Sequence, residues 1–283
     1  MTSSTLLPQT GEIAAWRYAH PELFARPFAE RWRNRGIALL LAAIFVFGLW
    51  WIDATPPRFW NGAGRLGFLI KLMLPPSTGG VFGTYLQALG ETLAMAFFGT
   101  FLSTIVAFPL GFLGARNIVP NIFLHFGFRR VLDVMRGIDI LIWALIFVSA
   151  VGMGPFAGVL AIAFSDVAFL TKIYAEAIEN VDRKPIEGTQ AAGANRLQAI
   201  RLAVVPQVLP VILSSALYFF ESNVRAATIL GIVGAGGIGL ELSQQILVNN
   251  WDQALFIIIM MLVAVAIIDF ISRRIRLKII GGK

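Results

Sequence analysis

Cysteine is absent from this 283-residue chain, and histidine occurs only twice. The first absence excludes a disulfide framework and leaves the redox compartment unread from thiols. The second matters because His20 and His125 stand alone, without clustered ligands, so the sequence predicts no metal site. Charge is scarce too, with Asp, Glu, Lys and Arg making up 14% of residues. No G-x-x-x-x-G-K-[ST] loop occurs, which removes the usual backbone cradle for nucleotide phosphates. No nucleophile, base and orienter can be assembled from motifs, so no catalytic residue is predicted. Repeats of about 20 to 50 residues and low-complexity tracts are also missing.

What fills the chain is apolar: 57% of residues are hydrophobic and the mean hydropathy is +0.76, outside the range of soluble domains. It reads as an integral membrane protein. A hydrocarbon core is crossed by about 17 to 25 apolar residues in a helix. Such runs lie at 36–52, 89–113, 138–152, 155–175, 208–233 and 254–271, the third reaching full length only if extended back through Arg136 to Val131. In a bilayer only helices and closed barrels satisfy every backbone group, and these runs lack the alternation of barrel strands. The predicted fold is all-α with six transmembrane helices. The first run sits behind a polar stretch, and no small-residue cleavage site follows it, so it reads as a retained helix.

A net charge of +7 and a sequence pI near 10.2 would suggest nucleic acid in a soluble protein. The distribution of the cations argues for topology instead, and no nucleic-acid partner is predicted. Of 23 Lys and Arg residues, all but Arg58, Arg65, Lys71 and Arg225 fall in the N-terminal stretch, the loops after spans two and four, and the tail. By the positive-inside rule both termini are cytoplasmic. Four segments follow: a cytoplasmic amphipathic stretch at 1–35, a first span with external connection at 36–88, a core of five spans at 89–272, and a basic tail at 273–283. Phe24, Phe28 and Trp32 suggest aromatics at the headgroup level in the first segment, although a plain topogenic flank is an equal reading. Pro56, Pro57, Pro75 and Pro76 predict an irregular connection over 53–85, with 66–74 in the interface.

The loop at 179–206 is polar and basic between two long apolar runs. Asp182 can cap a short helix with Pro185 in its first turn, and Asn195 with Gln198 can form a capping box for a second. Between them Glu187, Gly188, Ala191, Ala192 and Gly193 offer one carboxylate and a face with almost no side chains. Such a helix can enter a groove on another protein; an ordinary helix-turn-helix connector is the bland alternative.

In span five, Ser214, Tyr218, Glu221, Arg225 and Thr228 share one helical face, with Asn223 close by. Charge at mid-membrane costs roughly 2.5–3.5 kcal/mol on insertion scales, so this stripe should face protein or water. With Asn223 it lines a path for a small anion or holds helices together; both readings stand. Asp166 is either a path residue or a buried partner of Arg225, and Asp269 with Arg273 reads as a helix-end pair. Gly234-Ala-Gly-Gly-Ile-Gly239 satisfies G-x-G-x-x-G, but a membrane helix precedes it rather than a strand, which excludes a dinucleotide site. Gly234, Gly236, Gly237 and Gly239 suit a bend or close helix contact near a gate.

Glu187, Gly193 and Pro206 stand in the register of a motif shared by permease subunits of ATP-binding-cassette (ABC) importers: Glu-Ala-Ala, three residues, Gly, nine residues, Ile-x-Leu-Pro. Gly188 and Thr189 replace the alanines, Ala203 the isoleucine and Val205 the leucine. Glu187-Gly188, Gly193-Ala-Asn195, Gly152 to Val159, Phe220 to Arg225 and Gly234 to Gly239 resemble the phosphonate permease branch. The likeness spans about residues 89 to 272. It implies the type I importer permease (MetI-like) architecture in the bacterial inner membrane, a second copy of the chain, an external phosphonate-binding protein, and two cytoplasmic ATPase subunits docked at the Glu187 loop. ATP and Mg would be bound by those ATPases, with no cofactor in this chain. Phosphite or phosphate esters are possible cargoes. Alternatives are an importer permease for methionine or a quaternary amine, or an ion-coupled carrier using Asp139, Asp166 and Glu221; inverted repeats and broken helices would support the carrier, and the sequence shows neither.

Overall fold

In the computed structural model the described residues are 19, 28–119 and 121–281. Most of the 1–35 segment, including Phe24, lies outside them. The described residues hold helices and no strand, in two units, 1–68 and 69–283.

In the first unit, α1 (Phe28–Trp51) is apolar on all sides from Gly36 onward, and Leu39, Leu40, Phe45 and Trp50 are all exposed. A helix without a polar face finds its solvent in lipid. Helix α2 (Pro56–Met73) begins in this unit and corrects the expectation of an irregular 53–85 connection. Its paired prolines occupy the first turn, where a missing N–H costs nothing, so they start a helix rather than break one.

The second unit contains α3 (Phe82–Gly114), α4 (Ile122–Arg136), α5 (Ile140–Val151) and α6 (Pro155–Glu179). Beyond these come α7 (Arg183–Ala191), α8 (Arg196–Ala199), α9 (Val205–Leu230), α10 (Ile238–Leu247) and α11 (Trp251–Ile280). The core is the α3–α6 pair. Gly99, Ser103, Ala107, Gly111 and Gly114 repeat at three- and four-residue spacing and are buried, forming a small-residue seam along α3. A Cβ on Gly99 would stand 2.6 Å from Ile162, and one on Gly111 2.8 Å from Tyr174, so the backbones approach only because these side chains are absent.

Among the described residues five helices are long and apolar enough to cross a bilayer. The count becomes six if His125–Arg136 and Ile140–Val151, bent by 85°, form one span. This corrects the straight third span drawn back to Val131. Gly137 N–H closes α4 on Asp133 and Val134 carbonyls, and Asp139 then caps a new helix, accepting 2.8 Å from Leu141 N–H. At about 1.5 Å per residue α5 alone is too short for a hydrocarbon core.

Helix α8 runs into α9 through a π-helical turn, Ile200–Val204, in which Val205 N–H reaches back to Ile200 O. Pro206 supplies the cause: its ring would clash with the carbonyl four residues back, and the widened turn relieves that.

Candidate functional site

Helix α7 stands out from the second unit as a short hairpin with α8, and each local bond that shapes it is visible. Asp182 accepts from Lys184 N–H at 3.0 Å and starts α7. Gly193, at φ +88°, ends it: Gly193 N–H reaches Gln190 O and Ala194 N–H reaches Thr189 O, the paired bonds of a Schellman motif. Asn195 and Gln198 bond each other's backbone N–H groups at 2.8 and 2.9 Å, completing the capping box that opens α8.

Longer-range bonds fix the hairpin to the spans. Gln207 accepts from Asp182 N–H at 3.0 Å and donates to Ala203 O at 2.8 Å, clamping the start of α7 to the start of α9. Arg196 donates to Ile118 O at 2.7 Å. Ile186 packs with Ile118 and Ile200 against a core that includes Val204 and Ile178. None of these partners was evident in sequence, because each joins residues far apart in the chain.

The outward face is open by contrast. Glu187, Gly188, Ala191, Ala192 and Gly193 are all exposed. Space for a Cβ at Gly188 and Gly193 is empty to 4 Å. Glu187 makes no hydrogen bond or ion pair within the described residues, and a cavity of about 380 Å³ beside it is lined by Arg183, Ile186, Gln190 and Arg196.

The polar residues of α9 separate into two groups. Glu221, Arg225 and Tyr218 meet α11: Arg276 donates to Glu221 at 2.6 Å, Arg225 lies 3.6 Å from Glu221 and 3.2 Å from Asp269, and the Arg276 guanidinium stands over the Tyr218 ring. Asp269 therefore pairs with Arg225 rather than with Arg273. Arg225 remains 46% exposed while Glu221 is 13% exposed, so one end of this network reaches the chain's surface. Thr228 bonds its own helix at Val224 O, and Ser214 is half-buried.

Asn223 faces the other way. It is buried, and its amide donates to Thr100 on α3 at 2.9 Å and to Asp166 on α6. Asp166 is 5% exposed, so this amide links three helices at a point closed to water. Asp166 is thus the partner of Asn223, not of Arg225. Asp139, Asp166 and Glu221, the carboxylates an ion-coupled carrier would need, each have a protein partner. The bent α4–α5 pair is nevertheless a broken helix, contrary to expectation.

Beyond α9 the chain turns through Gly231–Ala235, with positive φ at Gly234, Gly236 and Gly237. The turn is buried. Gly234 O accepts from Gly154 N–H at 3.0 Å, and Thr92 accepts from Ile238 N–H at 2.8 Å. A Cβ on Gly239 would collide with the Thr228 carbonyl. Three spans thus converge on this glycine turn.

A family model described as the inner membrane component of binding-protein-dependent transport systems matches residues 107–280. The chain belongs to that family. It is a multi-pass permease subunit of an ABC importer and not an enzyme. Among its relatives is a Stutzerimonas stutzeri protein named for phosphite transport, 38% identical over 258 residues and covering 91% of each chain. Another, from Escherichia coli (strain K12), is named for cryptic phosphonate transport and is 43% identical over 117 residues, 41% of this chain and 96% of that protein. The MetNI methionine ABC transporter has the same permease fold: the match has a TM-score of 0.59 at 23% identity, over 69% of this chain and 95% of that one.

Proposed function

We propose that two copies of this permease form the membrane path of an ATP-driven importer for phosphonates, with phosphite and phosphate esters as related cargoes. The relatives' names and the phosphonate-type motifs support a tetrahedral phosphorus oxyanion as the common chemistry. Both termini and the α7 hairpin lie on the cytoplasmic side, in keeping with the arginine-rich flanks. An external binding protein delivers the phosphonate, and two cytoplasmic ATPase subunits hold ATP and Mg.

The observation that carries this reading is the α7 hairpin, rigid behind and open in front. Glu187 is an unpaired exposed carboxylate for a basic group on the ATPase, and Gly188, Ala191, Ala192 and Gly193 admit a close approach. Closure of the ATPase dimer on ATP pulls α7, and Gln207 passes the displacement to α9. ATP has to favour one conformation over the other for this to drive transport. Tyr218, Arg225, Ser214 and Thr228 then face the path between copies, Arg225 attracting the anion while Glu221 limits its hold. Asn223 anchors the path helix from behind, and Gly234, Gly236, Gly237 and Gly239 form the outer gate. Hydrolysis reverses the motion and releases cargo inside.

The test is uptake of labelled 2-aminoethylphosphonate into liposomes carrying the permease, its ATPase and its binding protein. Uptake requiring all three and ATP is expected. Uptake driven by an ion gradient without the ATPase would refute the proposal.

A further inference from the structure

Apart from the hairpin and the α9 stripe, a cavity of about 620 Å³ opens between the ends of α3, α4 and α6. Arg116, Arg129, Arg130 and Lys172 line it, with Asp133 as the acid among its lining residues. Arginines at helix ends are ordinary topogenic flanks, but a flank leaves its charges spread in solvent. Here four cations from three elements converge on one hollow.

Their existing partners leave positive charge over. Arg129 is paired with Glu179 at 3.0 Å and Arg130 with Asp133 at 3.4 Å. The Arg116 side chain has no carboxylate; its Nε donates to His125 Nε2 at 3.0 Å. Lys172 has no hydrogen bond or ion pair among the described residues.

His125 adds an independent sign. It lines the cavity at 7% exposure, and because Nε2 accepts from Arg116, its proton sits on Nδ1. That Nδ1 is buried and has no partner. A buried donor without an acceptor is costly, and an arriving oxygen acceptor would relieve it after a small rotation of the ring.

We propose that this cavity binds a phosphoryl-type oxyanion, held by Lys172, Arg116 and Arg130 with His125 as a neutral donor. Two sources share that chemistry: the headgroup of an anionic phospholipid and a free phosphate or phosphonate. Basic pockets between membrane helices are a known setting for the first. Helix α4 suits it, since Phe126 lines the cavity and Phe123, 90% exposed, lies one turn away. The site is separate from the hairpin, and neither transport nor topology is needed to test it.

The full chain in phosphatidylcholine nanodiscs is titrated with radiolabelled orthophosphate in one arm and with short-chain phosphatidylglycerol in the other. Saturable binding in at least one arm is expected, and the arm that responds identifies the source. Lys172→Gln should weaken binding about tenfold, the scale of one charge-assisted hydrogen bond, without lowering the melting temperature, since Lys172 has no partner to lose. Asp133→Asn should strengthen it by removing the opposing charge. Saturation in neither arm, or binding unaltered in both variants, overturns the proposal.

Discussion

Gly193 ends α7 at φ +88° with nothing within 4 Å of its missing Cβ, whereas Gly231 to Gly239, at the far end of α9, is enclosed by α3, α6 and its own helix. The glutamates of α7 and α9 differ in the same way: Glu187 is exposed and unpaired among the described residues, while Glu221 is held between Arg276 and Arg225. Written as sequence, both regions are glycine with a nearby acid. In space, one leaves its valences open, as a surface awaiting another protein does, and the other has spent them inside the chain.

The sharpest break of this contrast is steric. Gly239→Ala puts a methyl group against the Thr228 carbonyl, which is backbone and cannot swing aside, so a loss of about 3 kcal/mol or more is expected, seen as little folded protein on extraction. Next is charge reversal at the hairpin. Glu187→Arg should lower ATP-driven uptake about tenfold or more, because like charges across an interface cost several kcal/mol, while the melting temperature of the isolated permease stays put. Unchanged uptake in that variant contradicts the docking role.

Smaller effects belong to the interior pair. Glu221→Gln leaves Arg276 without its counter-charge, while Arg225 keeps Asp269, and should cost about 1–3 kcal/mol of stability, read as a lower unfolding midpoint. The partial exposure of Arg225 keeps the loss below that of a fully buried pair. Least disturbing is Gly188→Ala. Its Cβ meets nothing, and alanine favours a helix interior by roughly 0.5–1 kcal/mol, so the midpoint should rise slightly, and a loss of uptake without a loss of stability would support the proposed ATPase contact.

Which features were legible in the sequence follows from the range of the interactions. The caps at Asp182 and Asn195 act over two or three residues, so residue type and spacing were enough. The α3–α6 seam, the Gln207 clamp and the Arg276–Glu221 pair join distant residues, and hydropathy windows carry no information on them. The straight third span failed for a local reason that was readable: Gly137 followed by Asp139 is a helix stop and then a helix start, but averaging over the apolar run hides it. Pro56 and Pro57 misled in the opposite sense, because proline breaks the middle of a helix and favours its first turn.

The absence of cysteine from the chain makes the central claim directly testable, since an introduced thiol is unique. Glu187→Cys is labelled with a photoreactive maleimide, mixed with the ATPase subunit and irradiated; Thr84→Cys, separated from the Gly114 end of α3 by about 45 Å of helix, is the control. The account predicts an adduct with the ATPase from Glu187→Cys and none from Thr84→Cys. Equal labelling from both positions, or labelling from Thr84→Cys alone, would contradict it.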